Sequence, residues 1–484
     1  MEKLPHLPSP PPPTHTMLSE LRKQRGIVVP LMVMNLAWLG KCVITTVFLG
    51  QLGELQLAGG VLGFTFANVT GYSVLNGLCC AMEPICGQAC GAKNVRLLHK
   101  TLVMVTILLL TTAVPISFLW LNVDKILIYF GQQEDISMVA KTYLLYLLPD
   151  LFVISLLCPL KTYLSAQSMV FPIMFSTSVA LAFHVPINIL LSRAKGLKGV
   201  SMAGWVTDLL IVILLAFYVL RIESSKERRW KEGGWWDQGV GDWIKMLKLC
   251  GPSCLTTCLE WWCYEILVLL TGRLPNAKQA VGELAIVLNF DYLLFSVMQS
   301  LATCASTRVS NELGANQPDL AYQSAYISFL VSFASGCIGA AMMVSARGIW
   351  GYLYSHDART IRGVKKMLLL MAPVEVVNFP LAVCGGIVRG TARMSLAMYA
   401  NLGGFYLVAL PLGMVFAFKA GLGLGGLLIG LLVGVVVCLA LLLVFIFRID
   451  WAEAAGKAQI LACREQEIAK EDENHRILKT LENP

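Results

Sequence analysis

A small set of ionisable side chains interrupts long apolar stretches of this 484-residue chain. An ionisable group at the depth of a membrane is costly, so it marks a functional site by default. A carboxylate in such a place can take up and release a proton, and an ammonium group can balance it. The set therefore predicts coupling of a solute to an ion gradient. Its members are Lys41, Asp150, Asp208, Glu260, Glu265, Asp291 and Glu375.

Glu260 and Glu265 lie five residues apart in the segment C-L-E-W-W-C-Y-E. At about 100° per residue, their side chains diverge by roughly 140° on a helix, so they cannot both face one cavity squarely. A desolvated carboxylate binds a proton more readily than an exposed one. Both residues are candidate proton carriers, and the alternative is a buried carboxylate satisfied by a Trp N–H or a Tyr O–H.

Two further acidic residues are candidates in the second half of the chain. Asp291 follows Asn289 by two residues, so the two side chains point in different directions on a helix. Glu375 and Asn378 are three residues apart and share a helix face. Their segment is rich in Pro and Gly, which predicts either a moving helix that carries a carboxylate or a kink that serves packing.

Lys41 is the one basic residue inside an apolar stretch of the first half. It is expected to neutralise a carboxylate of the same half, Asp150 or Asp208, or else to attract an anionic substrate. A buried ion pair is weak evidence for stability. Structural and functional roles for Lys41 therefore both stay open, and all three residues are candidates for a substrate cavity, with Asn289 and Asn378.

The elements that must position these groups are membrane-spanning helices. The composition is 56% hydrophobic and only 14% charged, with a mean hydropathy of +0.68, whereas a soluble domain is about 25% charged. A spanning helix needs about 20 mostly apolar residues. We therefore predict an all-α polytopic membrane protein of twelve transmembrane helices, at 27–49, 57–82, 101–122, 140–160, 169–192, 200–220, 247–271, 284–306, 324–346, 364–388, 395–418 and 424–447.

The twelve spans divide at a long basic loop into six plus six. Excess Lys and Arg on one side puts both termini in the cytosol, and the same count places Lys161 on that side, just beyond the fourth span. The predicted units are a Pro-rich cytosolic tail (1–26), a first six-helix lobe (27–221), a basic cytosolic inter-lobe loop (222–246), a second six-helix lobe (247–447) and a charged cytosolic tail (448–484).

The two lobes carry traces of a duplication. Pro30 matches Pro252, and Gly50 matches Gly272, both at an offset of 222 residues. The segment G-Q-A-C-G-A at 87–92 corresponds to S-N-E-L-G-A at 310–315 at an offset of 223. Two lobes of equal helix number and orientation are a known plan for transporters, with the substrate path between them.

Several function classes are excluded. The chain contains no GxxxxGK[ST] motif for nucleotide hydrolysis and no nucleophile–base constellation, so we expect no enzyme. The cysteines are interpreted as small packing residues and His184 as a satisfied core residue, so we expect no metal and no cofactor beyond a coupling ion. The basic residues serve topology, so no nucleic-acid partner is expected.

Four motifs carry a resemblance to a known family. They are F-L-G-Q-L-G-E-L-Q-L-A-G-G from Phe48, M-E-P-I-C-G-Q-A-C-G-A from Met82, C-L-E-W-W-x-x-E from Cys258 and T-R-V-S-N-E-L-G-A-N from Thr307, supported by G-I-V-R-G-T-A-R from Gly386. Over residues 20–455, the chain resembles a plant member of the multidrug and toxic compound extrusion (MATE) family.

The resemblance implies two six-helix lobes around a V-shaped cavity and export of organic solutes in exchange for protons, with sodium as the other coupling ion in the family. It places the proton site of the second lobe at Glu265, with Glu260 second. Many plant members carry an Asp in the tenth helix where this chain has Asn378. Glu375 or Asp291 would then take that role, or the coupling would differ.

The favoured hypothesis is thus a proton-coupled exporter of xenobiotics, secondary metabolites, hormones or organic acids that works by alternating access. The alternative is a MATE-fold anion pathway or a membrane sensor that acts through protein partners. We expect a monomer in the lipid bilayer, with a possible protein partner at the C-terminal tail. Plant relatives occupy the plasma membrane and vacuolar or endosomal membranes, and no sorting motif selects among them.

Overall fold

The computed structural model describes residues 14–225, 235 and 238–460. The first 13 residues of the expected Pro-rich tail, most of the basic inter-lobe loop and residues 461–484 lie outside this part. The expected partner-binding segment of the C-terminal tail therefore lies largely outside the described residues.

The first half of the chain forms six long helical elements, two of them divided into shorter segments. These are α1 (Thr14–Leu52), α2 (Glu54–Ala67, Asn68–Tyr72, Ser73–Cys80 and Met82–Gly91), α3 (Val95–Leu121), α4 (Glu134–Leu147 and Pro149–Ala166), α5 (Phe171–Lys195) and α6 (Leu197–Ser225). A short helix, Val123–Tyr129, links α3 to α4.

The second half repeats this arrangement. Its elements are α7 (Val240–Thr271), α8 (Ala277–Gly314), α9 (Pro318–Ala346), α10 (Ala358–Gly390), α11 (Met394–Asn401, Leu402–Ala409, Leu410–Met414 and Val415–Lys419) and α12 (Gly423–Phe447). A single 3₁₀ turn, Trp350–Leu353, precedes α10, and a helix at 451–460 follows α12.

The chain is an integral, multi-pass membrane protein of twelve helices in two lobes. Ten of the described helices are each long and apolar enough to cross a membrane, and the bent pair in α4 makes an eleventh. The remaining expected span is α2, which is divided by a π-helical turn at Asn68–Tyr72 and a break at Ala81. Its segments are too short individually to qualify as spanning helices.

Most helices extend beyond the ranges expected from hydropathy, and α1 and α4 show why. The helix α1 begins at Thr14, well before residue 27, because the polar segment that precedes the apolar stretch also favours a helix. The two segments of α4 meet at an angle of 50°, where Pro149 has no N–H to continue the first segment. The second segment runs on to Ala166, past the expected end at residue 160.

Each lobe has its own apolar core. In the first lobe it surrounds Trp120 and Tyr163, and in the second it surrounds Phe379 and Phe405. A small third cluster joins residues from both halves, Ile27, Leu31, Val170 and Cys304.

The two glycine-containing motifs that match across the halves pack against each other. A methyl group at Gly87 would overlap the Ser310 hydroxyl group, and one at Gly314 would overlap the Gln88 backbone carbonyl. Small residues permit this close approach of helices in a membrane. We call this contact of residues 87–92 with 310–315 the inter-lobe seam; it lies at the end of the bundle where α1 begins and where α2 and α8 end.

Candidate functional site

Both lobes line a cavity of about 380 Å³ with a mainly apolar wall. Most of the wall comes from α1, α2, α4, α5 and α6, and the rest from α7 and α8. Aromatic side chains contribute from both sides, including Trp38 and Phe64 from the first lobe and Trp261 and Phe295 from the second. The volume lies within the ~300–1,000 Å³ range of small-molecule sites.

The buried charges of the first lobe meet at this cavity. The Lys41 ammonium donates to Asp208 at 2.5 Å, so Lys41 neutralises one of the two carboxylates that the sequence offered it. The Tyr72 hydroxyl group donates to Asp150 at 2.5 Å, and the Asp150 side chain also contacts Asp208. Two neighbouring carboxyl groups therefore share one ammonium group and one phenol.

The local backbone explains how Tyr72 reaches Asp150. Tyr72 ends the π-helical turn of α2, and Asp150 lies in the first turn after the α4 bend. Short π-helical turns within α-helices are frequent at functional sites. Both irregularities thus bring polar side chains of neighbouring helices to the cavity wall.

His184 is a satisfied core residue, as expected. Its Nδ1 lies 2.8 Å from the Thr207 hydroxyl group, and its Nε2 accepts from the Asn188 amide at 3.0 Å. A nitrogen that accepts carries no proton, so the imidazole is neutral. Thr45, which also contacts Nε2, donates to the Lys41 carbonyl. These contacts join α1 to α5 next to the Lys41 ammonium group.

The acidic residues of the second lobe form a separate buried cluster. Asp291 on α8 and Glu375 on α10 are 6% and 1% exposed, and their carboxyl groups are close neighbours. Asn378, one turn after Glu375, donates to the Tyr264 hydroxyl group at 3.3 Å. Glu260 is the third acidic residue of the cluster, with Asp291 and Arg389 as its charged neighbours.

Glu260 and Arg389 line a second, smaller cavity of about 60 Å³. This cavity shares several lining residues with the larger one, among them Trp261 and Gln299. Glu260 therefore lies within reach of the main cavity, through a polar space of the size of a few water molecules.

The two lobes hold these groups on equivalent helices. The Tyr72–Asp150 hydrogen bond joins α2 to α4, and the Asp291–Glu375 contact joins α8 to α10. The sequence offsets are 219 and 225 residues, close to the offset of 222 that relates the lobes. The duplication thus preserves a polar contact between the same pair of helices while its residue types differ.

The structure places five of the expected site residues outside the walls of both cavities: Glu265, Asp291, Glu375, Asn289 and Asn378. Glu265 lies on α7 within electrostatic range of Tyr292 on α8. Asn289 is exposed and donates to the Ala285 carbonyl of its own helix. The divergence of Glu260 and Glu265 follows their five-residue spacing, and the roles of Glu265 and Asn289 stay predictions.

Three ion pairs connect the lobes near the inter-lobe seam. Arg308 on α8 binds Glu20 on α1 through two bonds of 2.8 Å, and Arg389 on α10 binds Glu83 on α2 at 2.9 Å. Lys100 on α3 binds Asp242 on α7 at 2.6 Å. Sequence reasoning missed these pairs, although Glu83, Arg308 and Arg389 lie inside the quoted motifs.

Lys161 is another cavity residue that hydropathy misplaced. It was expected just beyond the fourth span, but the longer α4 places it in the wall of the main cavity. Tyr72 was also missed, because a Tyr within an apolar segment is ordinarily a packing residue.

A helical membrane bundle with a solute-sized cavity between two lobes, and with buried charges at its wall, defines a membrane transporter rather than an enzyme. Comparison with known proteins specifies its family. The MatE family model matches residues 30–190 and 252–415, and the chain belongs to this family of transporters.

Relatives and solved structures agree with this assignment. Protein DETOXIFICATION 56 of Arabidopsis thaliana is 63% identical over 453 residues, which cover 93% of this chain and 92% of that protein. Protein DETOXIFICATION 51 of the same plant is 38% identical over 457 residues, 93% and 84% of the two chains. The crystal structure of the eukaryotic MATE transporter AtDTX14 superposes with a TM-score of 0.86 at 30% identity, covering 92% of this chain and 99% of that one.

Proposed function

We propose that this transporter exports organic solutes in exchange for protons by alternating access of its two lobes. The observation that carries the proposal is the close approach of the buried carboxyl groups of Asp291 and Glu375, with no described cation in contact with either. Two ionised carboxylates at such close range repel each other, and a proton on one of them removes that repulsion. Their burial makes two adjacent negative charges costly, and the site therefore holds one proton in this conformation.

Proton exchange then follows from movement of the lobes. The proton enters the Asp291–Glu375 pair from the side to which the cavity is open, with Glu260 and its small cavity as a relay. When the lobes rock to the opposite arrangement, the pair is hydrated from the other side and releases its proton. The carboxyl pair of the first lobe, Asp150 and Asp208, is a second candidate site.

The orientation is part of the proposal. The inter-lobe seam and its ion pairs close the end of the bundle where α1 begins. With both termini in the cytosol, this arrangement is closed toward the cytosol. The membrane is proposed to be the plasma membrane or a vacuolar or endosomal membrane, and the protein is proposed to act as a monomer.

The experiment is proton flux in vesicles that contain the full chain. A pH gradient is imposed, and 1-naphthoate, 1-naphthamide or 1-naphthylmethylammonium is supplied as the solute. We expect at least one solute to move against protons in the wild type. Glu375→Gln and Asp291→Asn should abolish that exchange, whereas Glu134→Gln, at an exposed site, should not.

Further measurements in the same vesicles test which residue couples transport to the ion and which ion is exchanged. Full proton-driven export by Glu265→Gln would remove Glu265 from the coupling set. Export driven by a sodium gradient at equal pH would replace the proton with sodium. No solute movement with either gradient would overturn the proposed exchange.

One observation favours a second candidate function, a passive anion pathway. Lys161 brings an uncompensated ammonium group to the cavity, as an anion pathway needs. Patch-clamp recording separates the two functions: an anion current that persists without solute and without a pH gradient supports the pathway over the exchanger.

A further inference from the structure

Lys161 differs from the other basic residues of the two cavities. Lys41 is bonded to Asp208, and Arg389 is bonded to Glu83. The described part of the chain, by contrast, places no carboxylate within ion-pair distance of the Lys161 ammonium. An unpaired charge in the wall of a membrane protein is costly, and a ligand of opposite charge would offset that cost.

Among the described residues, ion pairs balance the basic side chains of the two cavities except for Lys161. Lys41 and Asp208 cancel, as do Glu83 and Arg389. Asp150 is the remaining carboxylate; it accepts a hydrogen bond from the Tyr72 hydroxyl group and lies next to Asp208. Asp150 lies outside ion-pair distance of Lys161, so no ion pair balances the positive charge of Lys161 in the described part of the chain.

The position of Lys161 separates this charge from the carboxyl pair. Asp150 and Lys161 lie on the same straight segment of α4, about three turns or roughly 16 Å apart along its axis. Thr162 follows Lys161 in the cavity wall, and Asn76 is hydrogen-bonded to the Cys158 thiol, one turn before Lys161. An anion at Lys161 would thus have polar neighbours in the cavity wall and would lie well apart from the Asp150 carboxylate.

We propose that Lys161 binds the carboxylate of an organic anion, whose apolar body lies against the aromatic residues of the same cavity. The proposal rests on the proposed export of organic solutes and names their charge. The volume of about 380 Å³ and the mainly apolar wall favour an organic anion over an inorganic one, since a small hydrated ion would leave the aromatic side chains of Trp38 and Trp261 without a partner.

The test is calorimetric binding to the purified full chain, with three ligands that share a naphthalene ring. We expect 1-naphthoate to bind about tenfold or more tightly than 1-naphthamide and 1-naphthylmethylammonium, because a charged hydrogen bond adds that much. Lys161→Gln should remove the preference for naphthoate over naphthamide, and Lys161→Arg should retain it. Lys195→Gln removes the same charge from an exposed site and should change nothing.

Each contrary result overturns the inference. Equal affinity of the wild type for the acid and the amide, or an unchanged preference in Lys161→Gln, would show that Lys161 does not bind the carboxylate. Nitrate that competes as well as naphthoate would replace the organic anion with an inorganic one. Unfolding curves of the variants ensure that the altered proteins are folded.

Binding and exchange fail separately. If naphthoate binds through Lys161 but moves no protons in vesicles, the proposed exchange fails and the anion site stands. If the ammonium ligand is exchanged for protons and naphthoate does not bind, the exchange stands and the anion site fails.

Discussion

The ion pair of Glu20 with Arg308 should hold the two lobes together at the seam. Both Glu20 oxygens accept from the guanidinium group at 2.8 Å, and Ser324 donates to the same carboxylate at 2.9 Å. Glu20 is 7% exposed. It lies on α1 of the first lobe, and the other two residues lie on α8 and α9 of the second.

Glu20→Gln keeps the size of the side chain and removes its charge. Loss of one partner of a buried pair costs about 3–5 kcal/mol, but Arg308 retains Glu312, which it contacts at 2.5 Å. We therefore expect a smaller loss of about 2–3 kcal/mol. Since alternating access must separate the lobes at the seam, this loss favours the seam-open conformation by about 30- to 150-fold.

Cys304 provides a native reporter of that opening. It is buried where the lobes meet, and its thiol group donates to the Gln24 carbonyl on α1. With a membrane-permeant maleimide and rapid opening, the labelling rate follows the population of the open form. Mass spectrometry of the Cys304 peptide should show an increase of that size in Glu20→Gln.

Two controls make the result specific. Glu312→Gln removes a partner of Arg308 within α8 and leaves the bond between the lobes, so it should raise the labelling of Cys304 much less. Cys438 lies in the core of the second lobe and should stay protected. Equal effects of Glu20→Gln and Glu312→Gln, or equal labelling of both cysteines, would refute the reasoning.

Two further predictions concern the seam and the surface. Gly314→Ala should destabilise the seam by about 1–3 kcal/mol, because its methyl group would overlap the Gln88 carbonyl. The control is Gly456→Ala, which has open space around it. Equal unfolding midpoints for the two variants would contradict the expectation. The hydrogen bond from Lys141, 2.8 Å long, lowers the pKa of Asp124 below its usual value of about 3.9. The stabilisation of the fold by the Asp124–Lys141 pair is therefore present above about pH 4 and is lost as pH falls through the lower folded-state pKa of Asp124. Asp124→Asn should cost up to about 1 kcal/mol of stability at pH 7 and nothing at about pH 2. A difference in stability that persists in acid would contradict this origin.

The sequence was sufficient to predict the lobes and most of the buried charges, but not their pairing. Lys41 could have met either Asp150 or Asp208, and only the packing of α1 against α6 assigns it to Asp208. Lys161 was misplaced because hydropathy locates the end of an apolar stretch, whereas the helix itself continues to Ala166. The position of the Tyr72 side chain depends on a π-helical turn that no local sequence pattern in α2 predicts.

The same asymmetry between residue types suggests how the lobes divide their work. In the first lobe, Asp208 has the Lys41 ammonium as its counter-charge. In the second lobe, the described residues place no cation in contact with Asp291 or Glu375, and the nearby Arg389 is bonded to Glu83.

A carboxyl pair without a cation depends on a proton for its charge balance, whereas a pair with an ammonium group can remain ionised. The two lobes hold equivalent contacts, between α2 and α4 and between α8 and α10, but only the second pair must gain and lose a proton when its surroundings change. Proton exchange should therefore reside mainly in the second lobe, and solute recognition in the first, where the larger share of the cavity wall and Lys161 are found.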